Sequence, residues 1–291
     1  MTVGQRFDAL LANLTLTSEQ RNGGIANHTG VRSCLNSHYY GVSNGYSNSM
    51  LVGSWGKSTE VRPPRDIDVL FVLPDSVYWR FQERLGNKQS QLLQEVKDVL
   101  GRKYSRTNIR GDGPVVLIPF ASYCIELVPA FKTTTNQYII PLTTNGGSYK
   151  TFDPNAEINK VKNSDSSTNG NTRALIRMAK RWQDYCSVPI KSFWLELIAV
   201  DFLVQWQHRD KSSTYHDWMV RDFFAFLVGR ANSYLSVPGT GEIMAVGNSW
   251  KSRAESAHGR AVKACEYEAG NMPYTAGDEW QKIFGEFIPK G

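Results

Sequence analysis

The chain has 291 residues, 41% of them apolar and 21% charged, with a formal net charge of +6; this is ordinary globular composition, enough for one large or two modest domains. No apolar run approaches the ~20 residues that span a bilayer, and residues 1–8 lack a secretory h-region, so no membrane contact and a cytoplasmic location are expected. Cys34, Cys124, Cys186 and Cys265 are scattered without a Cys-x-x-Cys pattern, and the five histidines form no pair at zinc spacing, which predicts reduced thiols and no structural zinc.

Residues 5–14 carry an amphipathic helical pattern. Thr17 or Ser18 is placed to cap a second helix running toward Tyr40, against the propensity of Gly23-Gly24. Strands are predicted near 49–53 and 67–73. Between them runs Gly53-Ser-Trp-Gly-Lys-Ser-Thr-Glu-Val-Arg-Pro-Pro-Arg-Asp66-Ile-Asp68, a Gly-Ser turn and polar loop that lead into Asp66-x-Asp68 at the head of Val69-Leu-Phe-Val-Leu73. Side chains on a strand alternate faces, so Asp66 and Asp68 point the same way with Ile67 opposite. Two such carboxylates repel unless something cationic lies between them, and the usual solution is a divalent metal with oxygen ligands. An isolated Asp-x-Asp is more commonly a solvated strand end, but this pair opens a strand too apolar to be solvated. Gly56-Lys57-Ser58 is not the end of a P-loop, because position 51 is Leu and Pro63-Pro64 prevents a helix straight after.

A long helical pattern covers 76–104, with Leu85, Leu92, Leu93, Val96, Val99 and Leu100 on its apolar face. Strands are predicted near 115–118, 123–128 and 137–140. Glu126 lies inside Tyr123-Cys-Ile-Glu-Leu-Val128, where a charged side chain is rarely buried without a partner. Thr143 to Thr172 is rich in Thr, Asn, Gly and Ser and reads as a long irregular connection. Residues 172–186 place Leu175, Met178, Ala179, Trp182 and Cys186 on one stripe with Thr172 as N-cap, and helices follow near 191–208, 215–232 and 250–268. The strand-rich first half and helical second half predict two lobes, residues 1–165 and 166–291. The basic groups Arg102-Lys103-Arg106-Arg110 and Arg177-Lys180-Arg181 read as solvated helix faces that would also suit a nucleoside triphosphate. Neither is a long basic run, so activation by nucleic acid is not indicated, although a nucleic-acid surface stays open.

Four ordered segments resemble the template-independent nucleotidyltransferases that include 2′-5′-oligoadenylate synthetase and cyclic GMP-AMP synthase, and most of all the bacterial cGAS/DncV-like enzymes (CD-NTases). They are Gly53-Ser54 with Gly56-Lys57-x-Thr59 and the Asp-x-Asp pair; Ile125-Glu-Leu-Val-Pro-Ala-Phe131; Leu175-Ile-Arg-Met-Ala-Lys-Arg-Trp182; and Pro189-x-x-Ser-Phe-x-Leu-Glu-Leu197. The resemblance implies an α+β, bilobed, polymerase beta-like nucleotidyltransferase fold, with a mixed-sheet lobe, a helical lobe and the active site in the cleft. It implies Mg²⁺ or Mn²⁺ held by Asp66, Asp68 and Glu126, the catalytic carboxylates, and a triphosphate held by Gly53, Ser54, Lys57, Lys180 and Ser192 with Phe193 stacked on the base. The residues alone also allow Lys180 as a solvated partner of Asp184, Ser192 as a helix cap and Phe193 as core. Three positions depart from the family pattern: Ser58 where Gly is frequent, Glu126 where Asp is frequent, and Phe193 where Tyr is frequent.

The implied activity is synthesis of a cyclic di- or trinucleotide second messenger from ATP, GTP or other triphosphates, in bacterial antiviral defence, with a separate effector protein sensing the product. The rivals are a linear oligonucleotide synthetase, a nucleotidyltransferase acting on RNA or protein, and a catalytically inactive nucleotide-binding module.

Overall fold

Thr2 and Thr17 open the first two helices by the same device. Each side-chain oxygen accepts the backbone N–H three residues on, while Gln5 and Gln20 reach back to the cap's own N–H. The computed structural model describes residues 1–43 and 46–291. In chain order its elements are α1 (Val3–Leu14), α2 (Ser18–Tyr40), β1 (Ser49–Leu51), α3 (Gly53–Lys57), β2 (Asp66–Val72), α4 (Asp75–Gln82), α5 (Lys88–Lys103), β3 (Arg110–Asp112), β4 (Val115–Pro119), β5 (Cys124–Lys132), β6 (Tyr138–Leu142) and β7 (Ser148–Phe152). There follow α6 (Pro154–Ser167), α7 (Asn171–Tyr185), α8 (Ser192–Gln205), α9 (His216–Val228), β8 (Tyr234–Ser236), β9 (Ile243–Ala245), α10 (Lys251–Ala269) and α11 (Pro273–Phe284). The class is α+β.

The chain divides into two units. One comprises residues 16–58 and 64–156, the other 1–15, 59–63 and 157–291. The expected division at 165/166 therefore differs from the structure in three places: α1, a short strip at 59–63 and most of α6 belong with the later helices. For α1 the reason is its apolar face, because Phe7, Leu10 and Leu14 are fully buried among side chains of that unit and Phe7 meets Trp280 edge-on with ring centroids 5.1 Å apart.

In the sheet-bearing unit, among the described residues, seven strands form one sheet with the path β1-β2-β5-β4-β3, and β6 and β7 extend it from β5. β2 and β5 are parallel neighbours, while the other pairings are antiparallel. Ile67, Val69, Phe71, Ile125 and Leu127 point to one face and are buried with Val31, Leu35, Leu92, Val96 and other residues of α2 and α5. Gly24 explains the glycine pair in α2: a Cβ there would lie 2.6 Å from the Trp55 ring and 3.0 Å from Ile67, so glycine lets α2 pack closely over α3 and β2.

The long helix expected at 76–104 is two helices. The chain turns at 83–87, where Gly86 takes φ +75° and Asn87 caps α5 by accepting the Ser90 N–H at 2.9 Å; Leu85, assigned to the apolar face, is 91% exposed. The connection expected from Thr143 to Thr172 instead holds β7 and α6. Both are polar because β7 ends the sheet and α6 buries few side chains, so their composition reads as loop.

The helical unit is centred on α8, which is apolar around its circumference and buried from Trp194 to Val200. Thr172 does not cap α7: Gly170 does, at φ +85°, and Thr172 is a buried hydroxyl bonded to Ser164 and Thr168 at 2.8 and 2.9 Å. The β8–β9 hairpin and α11 occupy segments the sequence pattern left unassigned. All four cysteines are free, with Cys265 buried and the other three half-buried. Among the described residues no helix is long and apolar enough to cross a membrane.

Candidate active site

The parallel register of β2 and β5 sets Asp68 directly beside Glu126 and Asp66 beside Cys124. Since side chains alternate along each strand, Asp66, Asp68, Cys124 and Glu126 share one face of the sheet, opposite the face packed on α2 and α5. On the next strand Leu117 is in register with Glu126 and is 7% exposed, so it covers that side of the carboxylate. Asp66 is exposed, and Asp68 and Glu126 are half-buried. Strand pairing thus brings together three carboxylates that lie up to sixty residues apart in the chain.

Their electrostatics follow from that placement. Desolvation, then Asp68, Asp66 and Asp112, push the Glu126 carboxyl up to about 7. Burial, then Asp66 and Glu126, also raise the Cys124 thiol. Among the described residues no group of three or more His, Cys, Asp or Glu side chains is placed to hold a metal ion as it stands.

A stability prediction follows. The folded chain binds the Glu126 proton more tightly than the unfolded chain does, so without metal the residue lowers stability progressively as the pH rises from about 4.5 through about 7. Glu126→Gln in chelator removes that penalty. It should be more stable than wild type by about 1–2 kcal/mol at pH 8, after discounting for solvent screening, and no more stable at about pH 3.5. Thermal melts at the two pH values check this, and an equal offset at both would contradict the assigned cause.

The Gly-Ser segment is a short helix, α3, rather than an open turn. It begins at Gly53, where φ is +54° and a Cβ would lie 1.9 Å from Asp68 Oδ2, so the segment rests directly on the Asp68 carboxylate. It ends at Ser58, in the left-handed region at φ +58°, which gives a backbone reason why glycine would suit this position. Trp55 anchors α3 in the core, edge-on to Tyr123 at 6.2 Å and beneath the Arg21 guanidinium at 5.8 Å. Ser54 is half-buried, whereas Lys57 is only 3% exposed, so its ammonium is not a surface charge.

In the helical unit Lys180 does not pair with Asp184, whose ion-pair partner at 3.7 Å is Arg181. Lys180 Nζ instead donates to Glu196 Oε1 at 2.6 Å, to Thr59 Oγ1 at 3.0 Å and to the Thr59 carbonyl at 3.2 Å, and all three residues are buried. Ser192 is the first residue of α8 and not its cap, which is Lys191. Phe193 is half-buried, packed against the core with its ring 5.4 Å from Trp194. Thr59 and Glu196 received no separate role from the sequence. Glu196 carried a usable signal, as a carboxylate inside the apolar run Trp194-Leu-Glu-Leu-Ile-Ala-Val200, the same argument that singled out Glu126.

Comparison with known proteins finds relatives in sequence and in fold. Residues 1–165, more than half of the chain, match the family model described as the Second Messenger Oligonucleotide or Dinucleotide Synthetase domain. A probable cyclic nucleotide synthase of Bacillus cereus (strain VD146) is 24% identical, with 81% of each chain covered. Among solved structures, Escherichia coli MS115-1 CdnC with ATP superposes with a TM-score of 0.73 at 14% identity, covering 98% of both chains. Vibrio cholerae DncV cyclic AMP-GMP synthase with the linear intermediate 5′ pppA(3′,5′)pG gives 0.74 at 13% identity, covering 98% of this chain and 94% of that one. The chain belongs to the second messenger oligonucleotide or dinucleotide synthetase family and is a nucleotidyltransferase of the bacterial cGAS/DncV-like group.

Proposed function

We propose that this member of the second-messenger synthetase family joins nucleoside triphosphates, ATP first among them, into a short cyclic di- or trinucleotide and releases pyrophosphate. The observation that carries the reading is the register that sets Asp66, Asp68 and Glu126 on one sheet face with α3 resting against Asp68. The donor set is all oxygen, and burial together with the neighbouring carboxylates raises the Glu126 carboxyl. Those features fit Mg²⁺ or Mn²⁺, held by Asp66, Asp68 and Glu126. When bound, such a cation supplies charge compensation for the triphosphate and a lower pKa for the attacking hydroxyl.

In the reaction, a ribose hydroxyl oxygen bonds to the α-phosphorus, the bond to pyrophosphate breaks and the hydroxyl proton passes to solvent. The chain's part is positioning. The backbone of Gly53 and the hydroxyl of Ser54 hold phosphate oxygens, and glycine permits the close approach. Ser192 and Phe193 are proposed as a phosphate hydrogen bond and a base-stacking ring. Lys180 keeps its proposed triphosphate role only if it gives up one of its present acceptors.

Cyclisation requires the enzyme to hold a linear intermediate and present its far hydroxyl to a second α-phosphate. The captured linear species in DncV shows that protein doing the first of these. The product is proposed to signal to a separate effector protein in the cytoplasm, in antiviral defence.

Incubation with each triphosphate and Mg²⁺ or Mn²⁺, then phosphatase and mass spectrometry, tests the reading. The expected result is one short product that survives phosphatase, because ring closure removes every terminal phosphate. A ladder of phosphatase-sensitive oligomers would assign a linear synthetase to the same site, and no product from any combination would assign an inactive module.

A further inference from the structure

The carboxylates belong to a longer row across the sheet. Asp68 on β2 is in register with Glu126 on β5, Glu126 with Leu117 on β4, and Leu117 with Arg110 on β3. Residues in register on neighbouring strands point to the same face, so Arg110 shares the face of Asp68 and Glu126. At about 4.8 Å per strand, its Cα lies roughly 10 Å from that of Glu126 and roughly 15 Å from that of Asp68. Between Arg110 and Glu126 stands only Leu117, which is apolar and buried. All four residues belong to the sheet-bearing unit.

The sequence grouped Arg110 with Arg102, Lys103 and Arg106 as a solvated helix face. The structure separates them: Arg102 and Lys103 end α5, whereas Arg110 opens β3. All of β3 is exposed, and among the described residues no hydrogen bond or ion pair engages the Arg110 guanidinium. Asp112 points to the same face one row along, opposite Val115. Burial raises the Cys124 thiol, and Arg110 is close enough to offset part of the rise. An exposed arginine needs no ligand to be stable, so its exposure alone says nothing. Its position in the row does.

The order of the row gives it a direction. The segment proposed for the donor triphosphate joins β2 from the β1 side: the Val52 N–H donates to the Asp68 carbonyl at 2.9 Å, and Gly53 rests on the Asp68 carboxylate. The attacking hydroxyl comes from a second nucleotide, which needs a place of its own. Along the row that place lies past Glu126, toward β4 and β3. We propose that Arg110 binds the phosphates of this second, acceptor nucleotide, in a subsite on β4 and β3 separate from the donor's on α3. The proposal rests on the reading that the chain joins two triphosphates. In that step the acceptor's ribose oxygen bonds to the donor's α-phosphorus, pyrophosphate leaves the donor, and the hydroxyl proton passes to solvent. The acceptor keeps its own triphosphate throughout. A guanidinium stays charged at any working pH and grips phosphate oxygens two at a time, which fits that group.

The test sets two acceptors in competition: the triphosphate that wild type turns over, and its parent nucleoside, which has the same hydroxyls and no phosphate. Mass spectrometry separates the products, because the nucleoside gives a dinucleoside monophosphate that lacks the triphosphate needed for closure. Their ratio reports relative kcat/KM for the two acceptors. Wild type should favour the triphosphate. Arg110→Ala should lower that preference roughly tenfold or more, the effect of losing a charge-assisted contact, and Arg110→Lys by less, since the charge remains and the fork is lost. Calorimetry with the non-hydrolysable α,β-methylene triphosphate gives a second reading: two molecules bound per wild-type chain, and one per Arg110→Ala chain. Both substitutions sit on an exposed strand, so melting temperatures should stay unchanged.

An unchanged preference in Arg110→Ala, or an equal loss toward both acceptors, would overturn the assignment. If wild type makes no product from any triphosphate, the reading of the reaction fails instead, and calorimetry decides Arg110 by itself. Loss of one of two sites in Arg110→Ala upholds the phosphate contact. A single site in wild type, or two of unchanged affinity in the variant, removes it.

Discussion

Asp66→Asn combined with Asp68→Asn is expected to remove nucleotidyl transfer, lowering turnover by roughly a thousandfold or more. Asparagine keeps the outline of aspartate and discards its charge, so the strand retains its shape. The two side chains are exposed and half-buried, and neither belongs to the apolar cluster behind the sheet. Folding should survive, and the metal-free protein should be slightly more stable, since the two neighbours that help raise the Glu126 carboxyl are then neutral. Labelled-triphosphate turnover beside a thermal melt in chelator gives both readings. Turnover within tenfold of wild type would remove these aspartates from the reaction, whatever the melt showed.

The carboxylate face was legible in the sequence because its signal is local and violates the prevailing pattern: carboxylates inside apolar strands at Asp66, Asp68 and Glu126. Their mutual placement was not, because register between β2 and β5 is a long-range property that no window of the chain contains. The same distinction explains the errors in the fold. Leu85 matched the helical period by coincidence, and the left-handed Gly86 with the Asn87 cap ended the periodicity around it. β7 and α6 were missed because polar composition was read as irregularity, although a sheet-end strand and a sparsely buried helix have little need of apolar residues. Lys180 was legible as a cation of interest but not as a committed one. Its acceptors lie at positions 59 and 196, and only folding shows that they meet.

Gly53→Ala should abolish most activity through a single added methyl group. Two penalties coincide at this residue. At φ +54° alanine is strained by roughly 1 kcal/mol. Its Cβ would also stand 1.9 Å from Asp68 Oδ2 and 2.6 Å from Asp68 Cγ, well inside any real contact. Relief requires either that the Asp68 carboxylate swing off the shared face or that α3 lift away from β2. Both moves separate the proposed phosphate-binding segment from the carboxylates, and a displacement of about 1 Å can cost about a hundredfold in rate. Turnover is therefore expected to fall at least that far, while the melting temperature drops by only a few degrees. Gly41→Ala separates the two penalties: Gly41 closes α2 at φ +66° with nothing within 4 Å of its would-be Cβ, so it carries the backbone strain without the collision. Gly41→Ala should show the same small thermal loss and normal turnover. Equal activity in the two variants would mean that the contact between α3 and Asp68 does not govern the reaction, and the site would have to be built from the three carboxylates without the glycine that rests on them.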